Sequence, residues 1–249
     1  MPADMDEIAD LERYPLDRRD LRVLEELIDE SRREFAASGV LVLREFLREE
    51  ALAEIAANCL ANGAIDGVRL PDIDLAEQRG RAGEPPPVIE CLLAGDRIPA
   101  SSPLKRLYLW EPLLDFVSRV VGEPAYRSAD SLGALTVHIQ EHGEGQDWHF
   151  DLPDYMLDVH IAAPEQGGVL EYHSLPRAVL QRSGAQRQRI GLLPTAPGTF
   201  LLHAGRLSRH RVTPVRGRSP RITAAMAFHG KPGQRLTDHV RRKRFGRTE

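Results

Sequence analysis

In Trp148-His149-Phe150-Asp151 an imidazole and a carboxylate stand two residues apart, the spacing at which both can bind one metal ion. If the run is extended, alternation sends His149 and Asp151 to one face and the aromatics Trp148 and Phe150 to the other. Taken alone, the pair fits either two-thirds of a metal site or a surface His–Asp pair. A third group comes later in the chain: His210 opens His210-Arg-Val-Thr-Pro-Val, a short apolar run that Pro214 confines to a sheet edge or end. Two imidazoles and one carboxylate on adjacent strands make the facial triad of non-haem iron(II), which leaves coordination positions for a chelating 2-oxo acid and for dioxygen. Structural zinc sites close at four ligands, usually with sulfur, and no sulfur is at hand here.

The segment 221–228 supplies a partner for such an acid. It alternates, with Ile222, Ala224, Met226 and Phe228 on one face and Arg221, Thr223, Ala225 and Ala227 on the other. An Arg and a Thr followed by two alanines describe a cationic floor with room above it. The guanidinium fork binds a carboxylate through two parallel hydrogen bonds, and the Thr hydroxyl adds a donor. An exposed strand with its Arg in water would not explain the small residues beyond.

These residues have to be positioned by a scaffold. Apolar residues at helical spacing predict helices over 20–37, 49–62 and 103–121, with a short buried strand, Val40 to Leu43, after the Ser38-Gly39 stop. The stretch 63–87 is polar, rich in Gly and Pro and without periodicity, which predicts a long loop and a candidate lid. From Leu132 onward short β-like runs alternate with turn signals: 135–140, 148–151, 157–161, 168–172, 199–203, 210–215 and 221–228. The expected fold class is α+β, with an α-helical N-terminal third (1–131) packed on a double-stranded β-helix, or jelly roll (132–249), in a single domain over 1–249.

Composition narrows the classes. The net charge of −4 offers no extended basic surface, so neither nucleic acid nor an acidic membrane is an expected partner, and a small molecule is. The basic run Arg241 to Arg244 reads as a solvated helix face. No apolar stretch reaches the length of a membrane span, and the acidic N-terminus has no signal-peptide pattern. Cys59 and Cys91 match no metal or disulfide spacing and read as buried thiols of a cytoplasmic protein.

The order His-x-Asp, about sixty residues, then His with an Arg eleven further on resembles the iron(II)/2-oxoglutarate-dependent dioxygenase superfamily. Asp130-Ser-Leu-Gly-Ala, Gln146-Asp-Trp-His-Phe-Asp, Gly167-Gly-Val-Leu-Glu-Tyr, the run from Gly205 to Val215 and the closing Arg244-Phe-Gly-Arg are similar to a bacterial subgroup, the free-amino-acid radical halogenases and their hydroxylase relatives. The resemblance covers most of the chain from about Leu92 onward. It implies His149, Asp151 and His210 as ligands of Fe(II), and Arg221 with Thr223 as the binding pair for 2-oxoglutarate, with dioxygen as co-reactant. Halogenases of this kind replace the metal-binding carboxylate by a small residue; Asp151 is present here, which favours hydroxylation of a small polar metabolite such as a free amino acid. Desaturation or ring closure begins with the same hydrogen abstraction, and a non-catalytic 2-oxoglutarate- or metal-binding jelly roll is the reading outside enzymes. Thr136, His138 and Gln140 share a strand face at which the family has polar residues near cosubstrate or substrate, and they are the substrate-pocket candidates. His203 is an alternative third ligand, without the following strand or the Arg spacing. His160, His173, His229 and His239 carry no functional reading.

Overall fold

A computed structural model describes residues 5–18, 22–71, 88–174 and 189–249. The N-terminal part holds α1 (Met5–Ile8), α2 (Arg22–Ser38), β1 (Val40–Leu43), α3 (Glu49–Asp66), β2 (Val68–Pro71), β3 (Val88–Leu93), α4 (Pro103–Leu109) and α5 (Glu111–Val121). On α2, Leu24, Ile28, Ser31 and Phe35 are buried at helical spacing, and the helix stops where Gly39 adopts φ 75° and its N–H reaches the Phe35 carbonyl. The helix expected over 103–121 is broken at Trp110, whose extended backbone (φ −72°, ψ 121°) ends α4 and starts α5. Pro112 is the cause: inside one continuous helix it would forfeit a hydrogen bond and press on the carbonyl four residues back, whereas in a first turn it costs nothing.

The strands that follow are β4 (Tyr126–Arg127), β5 (Leu135–Gln140), β6 (Gln146–His149), β7 (Tyr155–Ala162), β8 (Leu170–Ser174), β9 (Arg189–Leu193), β10 (Phe200–His203), β11 (His210–Val212) and β12 (Arg221–His229), before α6 (Asp238–Phe245). Among the described residues they form two antiparallel sheets. The larger runs β1-β10-β7-β12-β5-β3-β2, with β4 also on β12; the smaller runs β6-β11-β8-β9. This is the jelly roll the texture of the sequence anticipates, extended by β2 and β3.

Alternation decides what each face of the large sheet does. Ile222, Ala224, Met226 and Phe228 of β12, with Leu135, Val137 and Ile139 of β5 and Leu157, Val159 and Ile161 of β7, belong to one core with the apolar faces of α2, α3 and α5. A second, smaller cluster joins the two sheets, Val40 and Leu201 meeting Leu170, Leu193 and Val212. All nine residues of β12 are buried, so Arg221 does not face water.

Two further expectations change. The loop expected over 63–87 is structured at its start: α3 continues to Asp66, and β2 pairs antiparallel with β3, which the sequence reading left unassigned. Its remaining part, 72–87, lies outside the described residues, and with it the lid. The basic run 241–244 is not wholly solvated either. Arg242 and Lys243 are exposed, but Arg241 is buried and its Nε donates to Asp130 Oδ2 at 2.8 Å.

Candidate metal centre and cosubstrate pocket

His149 ends β6 and His210 begins β11, and the two residues face each other in register across the antiparallel pair. Asp151 lies just beyond the end of β6, where its N–H donates to the Gly205 carbonyl at 3.1 Å. A Cβ at position 205 would come 2.7 Å from the Pro153 carbonyl and 3.0 Å from Asp151 Cβ, so glycine is what lets the chain bring the carboxylate in. The ligand atoms of His149, Asp151 and His210 all lie within 4.8 Å of one another and could hold one metal ion. His149 Nε2 is 4.0 Å from Asp151 Oδ1 and His210 Nε2 is 3.6 Å from Oδ2, too long for hydrogen bonds and open to a shared ion.

Both imidazoles are oriented from behind. His149 Nδ1 lies 2.7 Å from the Asp147 carbonyl and His210 Nδ1 2.9 Å from that of Ser208. Each Nδ1–H donates to its carbonyl, which leaves the Nε2 lone pair free for a metal. Burial, partly offset by Asp151, pushes His210 down to about 4, so its imidazole is uncharged at neutral pH and able to bind a cation. His203 sits one step back, its Nε2 3.5 Å from Asp158 Oδ2 and 3.7 Å from Asp151 Oδ2. Burial alone would lower His203; its bond to Asp158 overcomes this and raises it. His203 thus stands behind Asp151 and is not part of the three-residue group.

The inner face of the large sheet carries the second half of the site. Arg221 pairs with Gln140, Thr223 with His138 and Ala225 with Thr136 along the β12–β5 ladder. Arg221 is 4% exposed, and Gln140 Oε1 accepts from its Nη1 at 3.0 Å. No carboxylate lies within ion-pair distance of it among the described residues. Burial pulls its pKa below the ordinary value, yet a guanidinium starts so high that it stays charged. Among the described residues, Arg221 Nε, Thr223 Oγ1 and Gln140 Nε2 are buried without hydrogen-bond partners. A buried, uncompensated charge costs several kcal/mol. A carboxylate at this spot would remove that cost, so the residues fit the distal end of 2-oxoglutarate. Gly168, at φ 59°, makes room for the arrangement: a Cβ there would lie 3.2 Å from Arg221 Cδ and 2.8 Å from Pro164 Cγ.

One cavity of about 680 Å³ takes in the three candidate ligands, Arg221 and Thr223. Thr136 and His138 line it as well, whereas Gln140 is fully buried behind Arg221. A polar chain runs along its wall: Thr136 Oγ1 is 3.1 Å from His138 Nε2, His138 Nδ1 is 2.9 Å from Glu90 Oε2, and Gln146 Nε2 donates to the same oxygen at 2.8 Å. Sequence reasoning missed Glu90. Its only signal was a charge inside the apolar run Val88 to Leu93, and that run was not read as a strand. Burial alone would raise the Glu90 pKa, but His138 and the other partners hold it below the usual carboxylate value. Lys243 and Arg244 of α6 also line the cavity.

A jelly roll with a two-His-one-carboxylate group and a buried arginine along one sheet face defines the iron(II)/2-oxoglutarate-dependent oxygenases, whose cofactors are iron, 2-oxoglutarate and dioxygen. Residues 23–242 match the family model of halogenase D, and the chain belongs to that family. A search of the curated proteins finds no match. Among solved structures the chain is similar to the epimerase SnoN in complex with Fe3+, α-ketoglutarate and nogalamycin RO, at 14% identity and a TM-score of 0.63 over 82% of this chain and 84% of that one. It is also similar to a Pseudomonas putida prolyl-4-hydroxylase, at 13% identity and a TM-score of 0.56 over 80% and 98%. A third is HygX from Streptomyces hygroscopicus with nickel, 2-oxoglutarate and hygromycin B bound, at 14% identity and a TM-score of 0.57 over 82% and 88%. At these identities the likeness is one of fold.

Proposed function

We propose that the protein hydroxylates an unactivated C–H bond of a small polar metabolite, a free amino acid or a close derivative. In this reading His149, Asp151 and His210 hold Fe(II), and Arg221 with Thr223 binds the distal carboxylate of 2-oxoglutarate. The observation that carries it is that one cavity brings together three side chains able to bind one metal ion and a buried guanidinium that no carboxylate among the described residues pairs. When bound, iron and 2-oxoglutarate supply the oxidising power, dioxygen being reduced as the 2-oxo acid is decarboxylated to succinate.

The chain's own residues supply position and shelter. The carbonyls of Asp147 and Ser208 fix the two imidazoles in the metal-binding tautomer, and His203 steadies Asp151 from behind. Gln140 holds one arm of Arg221 so that the rest of the fork faces the cavity. Thr136 and His138, backed by Glu90 and Gln146, give a substrate's amine, carboxylate or hydroxyl groups their partners. Asp151 favours hydroxylation over halogenation, since a complete triad leaves no ligand position for a halide. The shared core running from α1 through β12 supports a single domain over 1–249. No described helix is long and apolar enough to cross a membrane, and Cys59 and Cys91 are buried and unpaired, which supports a reducing, cytoplasmic setting.

The test is a screen of free amino acids and related metabolites with iron(II), 2-oxoglutarate and oxygen, reading succinate and the product mass. Substrate-stimulated succinate with a gain of one oxygen atom is the expected result. Turnover confined to protein or carrier-linked substrates would overturn the substrate class, and incorporation of chloride would overturn hydroxylation.

A further inference from the structure

We propose that His160 is a further cosubstrate-binding residue, donating a hydrogen bond from Nε2 to the distal carboxylate of 2-oxoglutarate beside Arg221 and Thr223. The inference rests on the cosubstrate reading above and adds to it a residue whose sequence context carries no signal. His160 lies on β7 directly opposite Thr223 of β12, so the two side chains share the inner face of the sheet. It is 1% exposed, and its Nε2 has no hydrogen-bond partner among the described residues. Its backbone is held on both sides, the N–H donating to Thr199 O at 3.0 Å and the carbonyl accepting from Gly198 N at 2.8 Å. The imidazole therefore cannot relieve its unmatched nitrogen by moving its strand.

Three other unmatched atoms lie on the neighbouring strands of the same face: Arg221 Nε and Thr223 Oγ1 on β12, and Gln140 Nε2 on β5. All four can donate. Arg221 and Thr223 line the cavity, and a carboxylate, with about four acceptor sites on its two oxygens, can take donors from both and from His160 at once. Water could satisfy the hydrogen bonds but not the guanidinium charge. The charge count also closes. Burial first, and Arg221 second, push His160 down to about 3, so at neutral pH it contributes an N–H and no charge. One cation then faces one anion in a buried pocket, without a surplus positive charge to desolvate.

Binding constants, not turnover, give the test. Iron(II)-loaded protein without oxygen is titrated with 2-oxoglutarate and, separately, with 2-oxobutyrate, which lacks the distal carboxylate. His160→Phe should weaken 2-oxoglutarate about tenfold, the loss of one hydrogen bond to a charged group, and leave 2-oxobutyrate unchanged. His160→Gln, which restores an N–H, should recover a good part of the loss. A measurement on unaltered protein stands beside these: nitrogen-15 NMR of the imidazoles in zinc-loaded protein, before and after the inert analogue N-oxalylglycine. The analogue should bring out a slowly exchanging Nε2–H on one uncharged histidine, and that signal should be missing in His160→Gln. An unchanged 2-oxoglutarate constant in His160→Phe, or an equal loss for both acids, overturns the proposal. If His160→Phe does not fold, the lack of any imidazole response to the analogue overturns it instead. Failure of the unaltered protein to bind 2-oxoglutarate at all would strike the cosubstrate reading itself, and the proposal with it.

Discussion

His149 and His210 are register partners across β6 and β11, with ring centroids 4.3 Å apart and ring planes tilted by 58°, so the candidate metal site exists in one register of the small sheet alone. A slip of one residue would send His210 to the opposite face. The next residue, Arg211, opposes the slip: it pairs with Glu171 of β8, its Nε donating to Glu171 Oε2 at 2.6 Å. His149→Ala and His210→Ala should therefore each lose tight iron(II) binding while keeping the native melting temperature within a few degrees. Metal analysis after anaerobic dialysis checks this, and full iron content in both variants would contradict the assignment.

Arg221→Lys should raise the 2-oxoglutarate requirement about ten- to a hundredfold, and lower the rate at saturation far less. A point-charge ammonium keeps the charge but cannot reproduce the parallel bonds of the fork, a loss of roughly 1.5–3 kcal/mol. Titration of the cosubstrate at fixed substrate measures both effects, and an unchanged requirement would remove Arg221 from the pocket.

Gly168→Ala tests the same pocket from outside. The residue has φ 59°, and an added Cβ would press on Pro164 Cγ at 2.8 Å and on the Arg221 stem at 3.2 Å. The substitution should weaken 2-oxoglutarate binding severalfold and leave iron binding unaltered, both read by calorimetry. Equal affinity for the cosubstrate would show that Arg221 does not depend on this cradle.

The Asp130–Arg241 pair ties α6, one wall of the cavity, to the turn before β5. Asp130→Asn leaves a buried guanidinium without its anion, a change of about 3–5 kcal/mol, or on the order of 10 °C in a chain of this size. Burial would raise the Asp130 carboxyl, but hydrogen bonds from Gly133 N, Arg241 and Leu236 N together hold it below the usual value. The sign follows: stability from a lowered carboxyl is full above about 3.9 and is lost as pH falls through the lowered value. The difference in melting temperature between the native protein and Asp130→Asn should be constant from pH 7 to 5 and shrink below about 4. A difference that grows in acid would contradict the pair.

Much of this was legible in the sequence because period-2 alternation is a strong signal where both faces of a strand are used. The run 221–228 announced both its core face and its cavity face, and β12 places them so. The spacing of His149, Asp151 and His210 carried chemistry independently of fold. What stayed hidden is what depends on long-range pairing. Glu90 sits in an apolar run of no clear period and acquires meaning from His138, which β3–β5 pairing sets beside it. Arg241 looked like one more exposed base until Asp130, over a hundred positions earlier in the chain, was found to receive it. His160 had no motif at all; its interest comes from the unmatched atoms around it.

The account turns on iron and 2-oxoglutarate meeting in one cavity, and visible spectroscopy tests that most directly. Metal-free protein given iron(II) and then 2-oxoglutarate without oxygen should develop the weak charge-transfer band of a chelated 2-oxo acid, saturating at one equivalent. His149→Ala and His210→Ala should show no band. A band of full strength in both variants, or none in the unaltered protein with iron bound, would contradict the assignment of this site.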